Sequence, residues 1–171
     1  DVPGTSLTIC TRPDQWEAAG DQYADLVEAA GGRIEVVHRS GEELSALYER
    51  ADLCVLFVEP DPYREFASPV KLYEYLGRGK PVIASQGTLA ADVVGAADAG
   101  WTLPYDASEL AGLLRRLLEQ PHEIAQAAHR AQGAREEHTW LSRARAVADD
   151  MQAIRAGELP RARTLRAGGT R

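Results

Sequence analysis

A cation and a carboxylate three residues apart, Lys71 and Glu74, stand in the stretch SPVKLYEYLGRGKPVIAS, residues 68–85, directly behind a Ser-Pro pair. On a helix that spacing puts both side chains on one face. Ser68 suits the N-cap and Pro69 the first helical position, where a missing N–H costs nothing and φ is already set. The open N–H groups and positive dipole end of such a helix receive an anion, phosphate above all. Lys71 adds a positive charge in the same turn, and Glu74 offers a carboxylate to paired hydroxyls such as those of a ribose. Phosphate at one end and hydroxyls at the other describe a nucleotide. The competing reading is a solvated ion pair worth a few tenths of a kcal/mol, and spacing by itself favours that second reading.

The elements around this stretch decide what it faces. Apolar runs alternate with helical patterns: SLTIC, RIEVVH, DLCVLFV, KPVIAS and GWTLPY read as strands. Between them QWEAAGDQYADLVEAA, GEELSALYERA, the Lys71 helix and TLAADVVGAAD read as helices, followed by the amphipathic ASELAGLLRRLLEQ. Pro121 starts a further helical segment that runs to about Ile154 and breaks near His138 and Thr139. DLCVLFV is apolar enough to be a strand buried on both faces. Parallel neighbours need crossover connections, so this alternation predicts a Rossmann-like α/β domain whose parallel sheet is covered by helices on both faces, with extra C-terminal helices. The five strands, 7–10, 34–37, 53–58, 81–84 and 101–103, are expected in one parallel sheet. Ligands of such sheets bind beyond the carboxyl ends of the strands. The loop after Val58 is the longest on that edge and leads straight to Ser68. Residues 1–155 make the domain and 156–171 a basic, flexible tail without apolar periodicity.

Composition narrows the class. The chain has 171 residues, 44% of them hydrophobic, with a net charge of −7 and no apolar run near the roughly 18 residues of a membrane span. A negative balance gives no general attraction for nucleic acid, so no nucleic-acid partner is expected. Two cysteines, Cys10 and Cys54, each lie in an apolar run and read as buried thiols of a reducing compartment. His122, His129 and His138 lack ligand spacing, and no metal site is expected. The opening DVPGTSLTIC has no initiator methionine, which suggests a piece of something longer.

YERADLCVLFVEP, SPVKLYEYLGRGKPVIAS, DASELAGLLRRLLEQ and HTWLSRARAV resemble, in that order, the C-terminal half of GT-B glycosyltransferases of family 4, over about residues 6–151. The run S-P-x-K-x-x-E-Y-x-x-x-G-K-P-V-I is the most specific part of the likeness. The resemblance implies a donor-binding half, with a nucleotide-sugar such as a UDP-, GDP- or ADP-sugar as substrate, no further cofactor, and a retaining transfer. The acceptor would sit on an N-terminal domain that is absent here. The likeness gives Glu74 to the ribose hydroxyls and the backbone around Ser68 and Pro69 to the diphosphate, with Lys71 assisting. His38 and Arg39 fall where the family approaches the nucleobase, although a strand-end histidine satisfied by a backbone group explains the former as well. Trp140 resembles a late aromatic of the family and equally suits core packing.

Two departures from the family pattern stand out. Many members carry a glutamate eight positions before the one matched by Glu74, and that place holds Phe66; Glu65 is one residue off, so Glu65, Phe66, Arg64 and Tyr63 are candidates for the sugar contact by location only. A strand and helix with a glycine and a basic clamp normally precede the strand matched by SLTIC. Without that unit the strand order would be 2-1-3-4-5; with it upstream, the sheet would show a gap between SLTIC and DLCVLFV. No catalytic residue can be named, and the chain by itself is expected to be inactive. The setting implied is cytoplasmic, with RARTLRA a weak candidate for contact with the inner membrane face. The rival classes are a non-catalytic nucleotide-binding module and a GT-B sugar-nucleotide epimerase.

Overall fold

The computed structural model describes residues 2–135 and 140–158; His138, the tail 159–171 and the side chain of Trp140 lie outside the described residues. The chain forms two compact units, residues 1–50 and 51–171.

The first unit is a strand–helix–strand–helix: β1 (Leu7–Cys10), α1 (Pro13–Ala29), β2 (Ile34–Val37) and α2 (Glu43–Arg50). β1 and β2 pair in parallel with Leu7 opposite Ile34 and Cys10 opposite Val37, and α1 is the crossover that parallel pairing requires. Pro13 stands in the first turn of α1. Gly31 and Gly32 follow that helix with φ of 58° and 83°, values that glycine adopts without steric cost and that turn the chain into β2.

The second unit holds β3 (Cys54–Leu56), α3 (Val70–Gly77), β4 (Val82–Ser85), α4 (Leu89–Ala96), β5 (Gly100–Leu103), α5 (Ala107–Glu119), α6 (Pro121–Ala134) and α7 (Trp140–Arg155). Its parallel sheet runs β3-β4-β5, with Cys54 opposite Val82 and Val82 opposite Gly100. β4 is buried at every position because it lies between two strands and under helices on both faces. The period of two along β4 separates the core into two layers. Val82 and Ala84 pack with Leu72 and Leu76 of α3, Val93 and Val94 of α4, and Ala131 of α6. Ile83 packs on the opposite face with Leu113 and Leu117 of α5. Gly100 is required where β5 meets β4, since a Cβ there would lie 1.9 Å from the Val82 carbonyl oxygen.

Three expectations are corrected. The strands form two ladders, β1-β2 and β3-β4-β5, rather than one; among the described residues β1 and β3 are not paired, which agrees with the expected break between SLTIC and DLCVLFV and not with the order 2-1-3-4-5. Strands inside a parallel sheet are buried on both faces, whereas β1 is exposed at three of its four positions. The fully buried strand is β4, not β3; Val55 and Val58 are exposed, and β3 stops at Leu56 because the Val58 N–H leaves the ladder to donate to Ser85 Oγ at 2.8 Å. Cys10 is exposed on β1, its Sγ donating to the Arg39 carbonyl at 3.4 Å, so only Cys54 is a buried thiol.

Candidate functional site

The segment between β3 and α3 is held in place by its own polar groups. Ser85, wholly buried at the end of β4, accepts the Val58 N–H through Oγ, while its carbonyl accepts from Thr88 Oγ1 at 2.7 Å. Phe57 rests against Tyr105 with ring centroids 5.2 Å apart. Asp61 closes a turn: its carbonyl and Oδ1 accept from Arg64 N at 2.9 and 3.1 Å, and its Oδ2 pairs with the Arg64 guanidinium at 2.9 Å. The same guanidinium donates to the Glu59 carbonyl. The Arg64 carbonyl in turn accepts from Leu89 N at 3.0 Å, tying the loop to the start of α4.

This braced loop delivers the chain to α3. Pro69, at φ −70° and ψ 129°, is the N-cap residue, and Val70 opens the helix. The expected cap is thus shifted by one residue, because the Ser68 hydroxyl turns to Tyr73 and donates to its phenol oxygen at 2.8 Å. Proline has no side-chain acceptor, so no side chain caps α3; the Leu72 N–H turns back to the Pro69 carbonyl at 3.1 Å, and the N–H groups of Val70 and Lys71 come ahead of any intrahelical acceptor. Leu72 and Leu76, wholly buried, fix the helix to the core and leave its opposite face outward. On that face Lys71 Nζ and Glu74 Oε2 form an ion pair at 3.1 Å, with 55% and 40% of the side chains exposed.

The other predicted residues are placed as follows. Glu65 and Phe66 lie on the loop before α3, both exposed, and the Phe66 ring meets Tyr63. His38 and Arg39 belong to the first unit and have local partners: His38 Nδ1 lies 2.9 Å from the Thr11 carbonyl, and Arg39 reaches Glu43 at 3.8 Å. Among the described residues no cluster of three or more His, Cys, Asp or Glu side chains is placed to hold a metal ion, and no helix is long and apolar enough to cross a membrane. A depression of about 330 Å³ lined by Leu103, Ser108, Glu109, Gly112, Leu113 and Arg116 contains none of the predicted site residues. Asp106, the cap of α5, accepts from Ser108 and Glu109 in a way that lowers its pKa: the Ser108 hydroxyl contributes most, then the backbone N–H groups. Sequence reasoning missed Ser85, whose serine at the end of an apolar strand was the available signal, and the pairing of Tyr63 with Phe66, visible only as two aromatic residues three apart in a loop.

A parallel sheet between helix layers, with an uncapped helix start following the loop at the end of a strand, defines the Rossmann-like class of ligand-binding domains. Residues 5–120 match the profile of the family Glycosyl transferases group 1, and the chain belongs to that family. It is 33% identical over 99 residues to the MMP alpha-(1->4)-mannosyltransferase of Mycolicibacterium hassiacum, a match covering 54% of this chain and 23% of that protein. Among solved structures it is similar to sucrose-phosphate synthase from Thermosynechococcus elongatus, at a TM-score of 0.73 and 22% identity over 92% of this chain and 40% of the other. It is also similar to Anabaena Alr3699/HepE, solved in complex with UDP, at 0.72 and 17% identity over 88% of this chain and 42% of the other. The fold is accordingly Rossmann-like, of the kind found in GT-B glycosyltransferases. The chain spans less than a quarter of the curated relative's length and about two fifths of these solved chains.

Proposed function

We propose that this chain is the donor-holding half of a retaining glycosyltransferase that takes a nucleotide-sugar, a UDP-, GDP- or ADP-sugar, and passes the sugar to an acceptor held by an N-terminal domain. The observation that carries the reading is the family match across residues 5–120, which includes an uncapped α3 bearing Lys71 and Glu74. The first-turn N–H groups of α3 and the Lys71 ammonium would take the diphosphate, which favours both the dipole end and a charge-assisted donor. Glu74 would accept from the ribose hydroxyls. Binding separates the Lys71–Glu74 pair, a step that costs little because an exposed pair is worth about 0–1 kcal/mol. Glu65 and Phe66 stand nearest in sequence to the place of the sugar contact. Since phosphate charge is met by N–H groups and Lys71, binding is expected to persist in the presence of a chelator. The setting proposed is the cytoplasm, with membrane contact at most peripheral.

Thermal denaturation with UDP, GDP, ADP and their sugars tests the reading. The cognate nucleotide at about 100 times its dissociation constant should stabilise the chain by about 2.7 kcal/mol. No shift with any of them, at millimolar concentration, would remove the proposal.

A further inference from the structure

We infer that Tyr63 and Phe66 form a stacking corner for a neutral pyranose ring, a contact that rests on the nucleotide-sugar reading above and adds a specificity element to it. The two rings meet edge to face, with centroids 5.5 Å apart and planes at 76°, and the residues are 68% and 69% exposed. Two large aromatic residues held together in water are not explained by folding, since neither is buried in the core, and exposed apolar surface of this kind marks a contact site.

The corner is also preorganised. The Tyr63 carbonyl accepts from Ala67 N at 2.9 Å, the Arg64–Asp61 pair closes the turn between the rings and Glu59, and the Arg64 carbonyl holds Leu89 N. A loop fixed by these bonds presents its rings without the ordering cost that a mobile loop would add on binding. The occupant follows from the chemistry around the rings. Edge-to-face packing leaves flat apolar faces open, which match the C–H face of a pyranose. Glu65, exposed and between the rings in sequence, brings a carboxylate that accepts from hydroxyls. The same loop carries three carboxylates, Glu59, Asp61 and Glu65, against one guanidinium, Arg64. That balance repels anionic lipid headgroups and suits a polyhydroxyl ligand.

The ring belongs to either the donor or the acceptor, and two measurements separate these sources. Calorimetric titration of the parent chain, Tyr63→Ala, Phe66→Ala and the double variant uses UDP, UDP-glucose, GDP and GDP-mannose. Saturation-transfer NMR of the same proteins uses methyl α-glucoside and methyl α-mannoside without nucleotide. If the donor sugar occupies the corner, the double variant loses roughly two- to tenfold in affinity for a nucleotide-sugar, the range of a ring contact, and nothing for the bare diphosphate. If an acceptor sugar occupies it, nucleotide-sugar affinity is unchanged and the glycoside signal disappears. Tyr63→Phe retains the ring and should behave as the parent in both. Affinities within experimental error of the parent together with unchanged glycoside signals would overturn the inference, as would absence of any glycoside or nucleotide-sugar contact in the parent. Sedimentation with phosphatidylcholine vesicles that is lost in the double variant would also overturn it, in favour of a lipid surface. Failure of all nucleotides with a surviving ring-dependent glycoside signal would instead refute the donor reading and leave the corner standing.

Discussion

An exposed ion pair adds little to stability because water screens it and both long side chains lose freedom. Lys71 and Glu74, 3.1 Å apart on the outer face of α3, are such a pair. Their substitution should therefore be read in ligand affinity and not in folding. Glu74→Gln keeps the shape and removes the charged acceptor, and is expected to weaken nucleotide binding by about 1.5–3 kcal/mol, the range for hydrogen bonds to charged groups. Lys71→Ala should weaken nucleoside diphosphates while leaving the bare nucleoside unaffected, since its partner is phosphate. Calorimetry on both variants checks this; equal affinities throughout would mean that the pair is only a solvated surface feature. A buried residue behaves in the opposite way. Burial raises the Cys54 thiol from 9.0 to about 11, against a smaller lowering by Lys80. The folded chain then holds this proton to higher pH than the unfolded chain does. Stability from the neutral thiol is complete below about pH 9 and falls as pH rises from 9 towards 11. Stability against denaturant should decline more steeply over that window in the parent than in Cys54→Ala, and parallel curves would contradict the sign.

At the scale of elements, the buried hydroxyl of Ser85 joins the end of β4 to the loop that carries the site. Ser85→Ala leaves the part-buried Val58 N–H without its acceptor, a loss of about 0.5–1.5 kcal/mol, the range of an ordinary hydrogen bond. Nucleotide affinity should fall with it, because the loop positions Ser68 and α3; a variant with parental stability and affinity would show that the brace is dispensable. This brace also explains where the sequence misleads. Leu53 to Val58 read as one long apolar strand, yet the hydroxyl of Ser85, 27 positions further on, draws the Val58 N–H out of the ladder. Long-range hydrogen bonds of that kind leave no mark on local pattern. The same limit moves the start of α3 to Val70, since the choice of Ser68 to donate to Tyr73 depends on where the helix face lands. Elements governed by local chemistry are legible. Pro121 opens α6, and the apolar run of β4 lies at the centre of its sheet. The Lys71–Glu74 pairing is legible too, because helical spacing alone sets it. The Tyr63–Phe66 corner is not, as loops have no period from which a shared face can be read.

For the whole molecule, burial is distributed unevenly between the two units. Residues 51–171 contain the two packed layers around β4, whereas in residues 1–50 Val2 is the only described residue in the buried core. Local opening is governed by buried apolar contact, so amides of Val82–Ser85 should exchange with solvent most slowly and those of Leu7–Cys10 much faster. Hydrogen-exchange mass spectrometry resolves the two segments, and equal protection would show that the first unit gains its stability elsewhere. The division of labour in catalysis follows from the same kind of reasoning. The chain is proposed to hold the donor, and the matched relatives are more than twice its length. Transfer needs an acceptor hydroxyl held against the sugar and water kept out, since orientation and exclusion of water supply much of such a barrier's reduction. Nothing proposed for Lys71 or Glu74 does either for a second substrate. The purified chain, incubated with radiolabelled UDP-glucose or GDP-mannose and a mixture of glycoside and lipid-linked acceptors, should bind donor and yield no labelled product above the blank. Turnover by this chain would show that both halves of the chemistry reside in it, and the assignment to the donor alone would have to be abandoned.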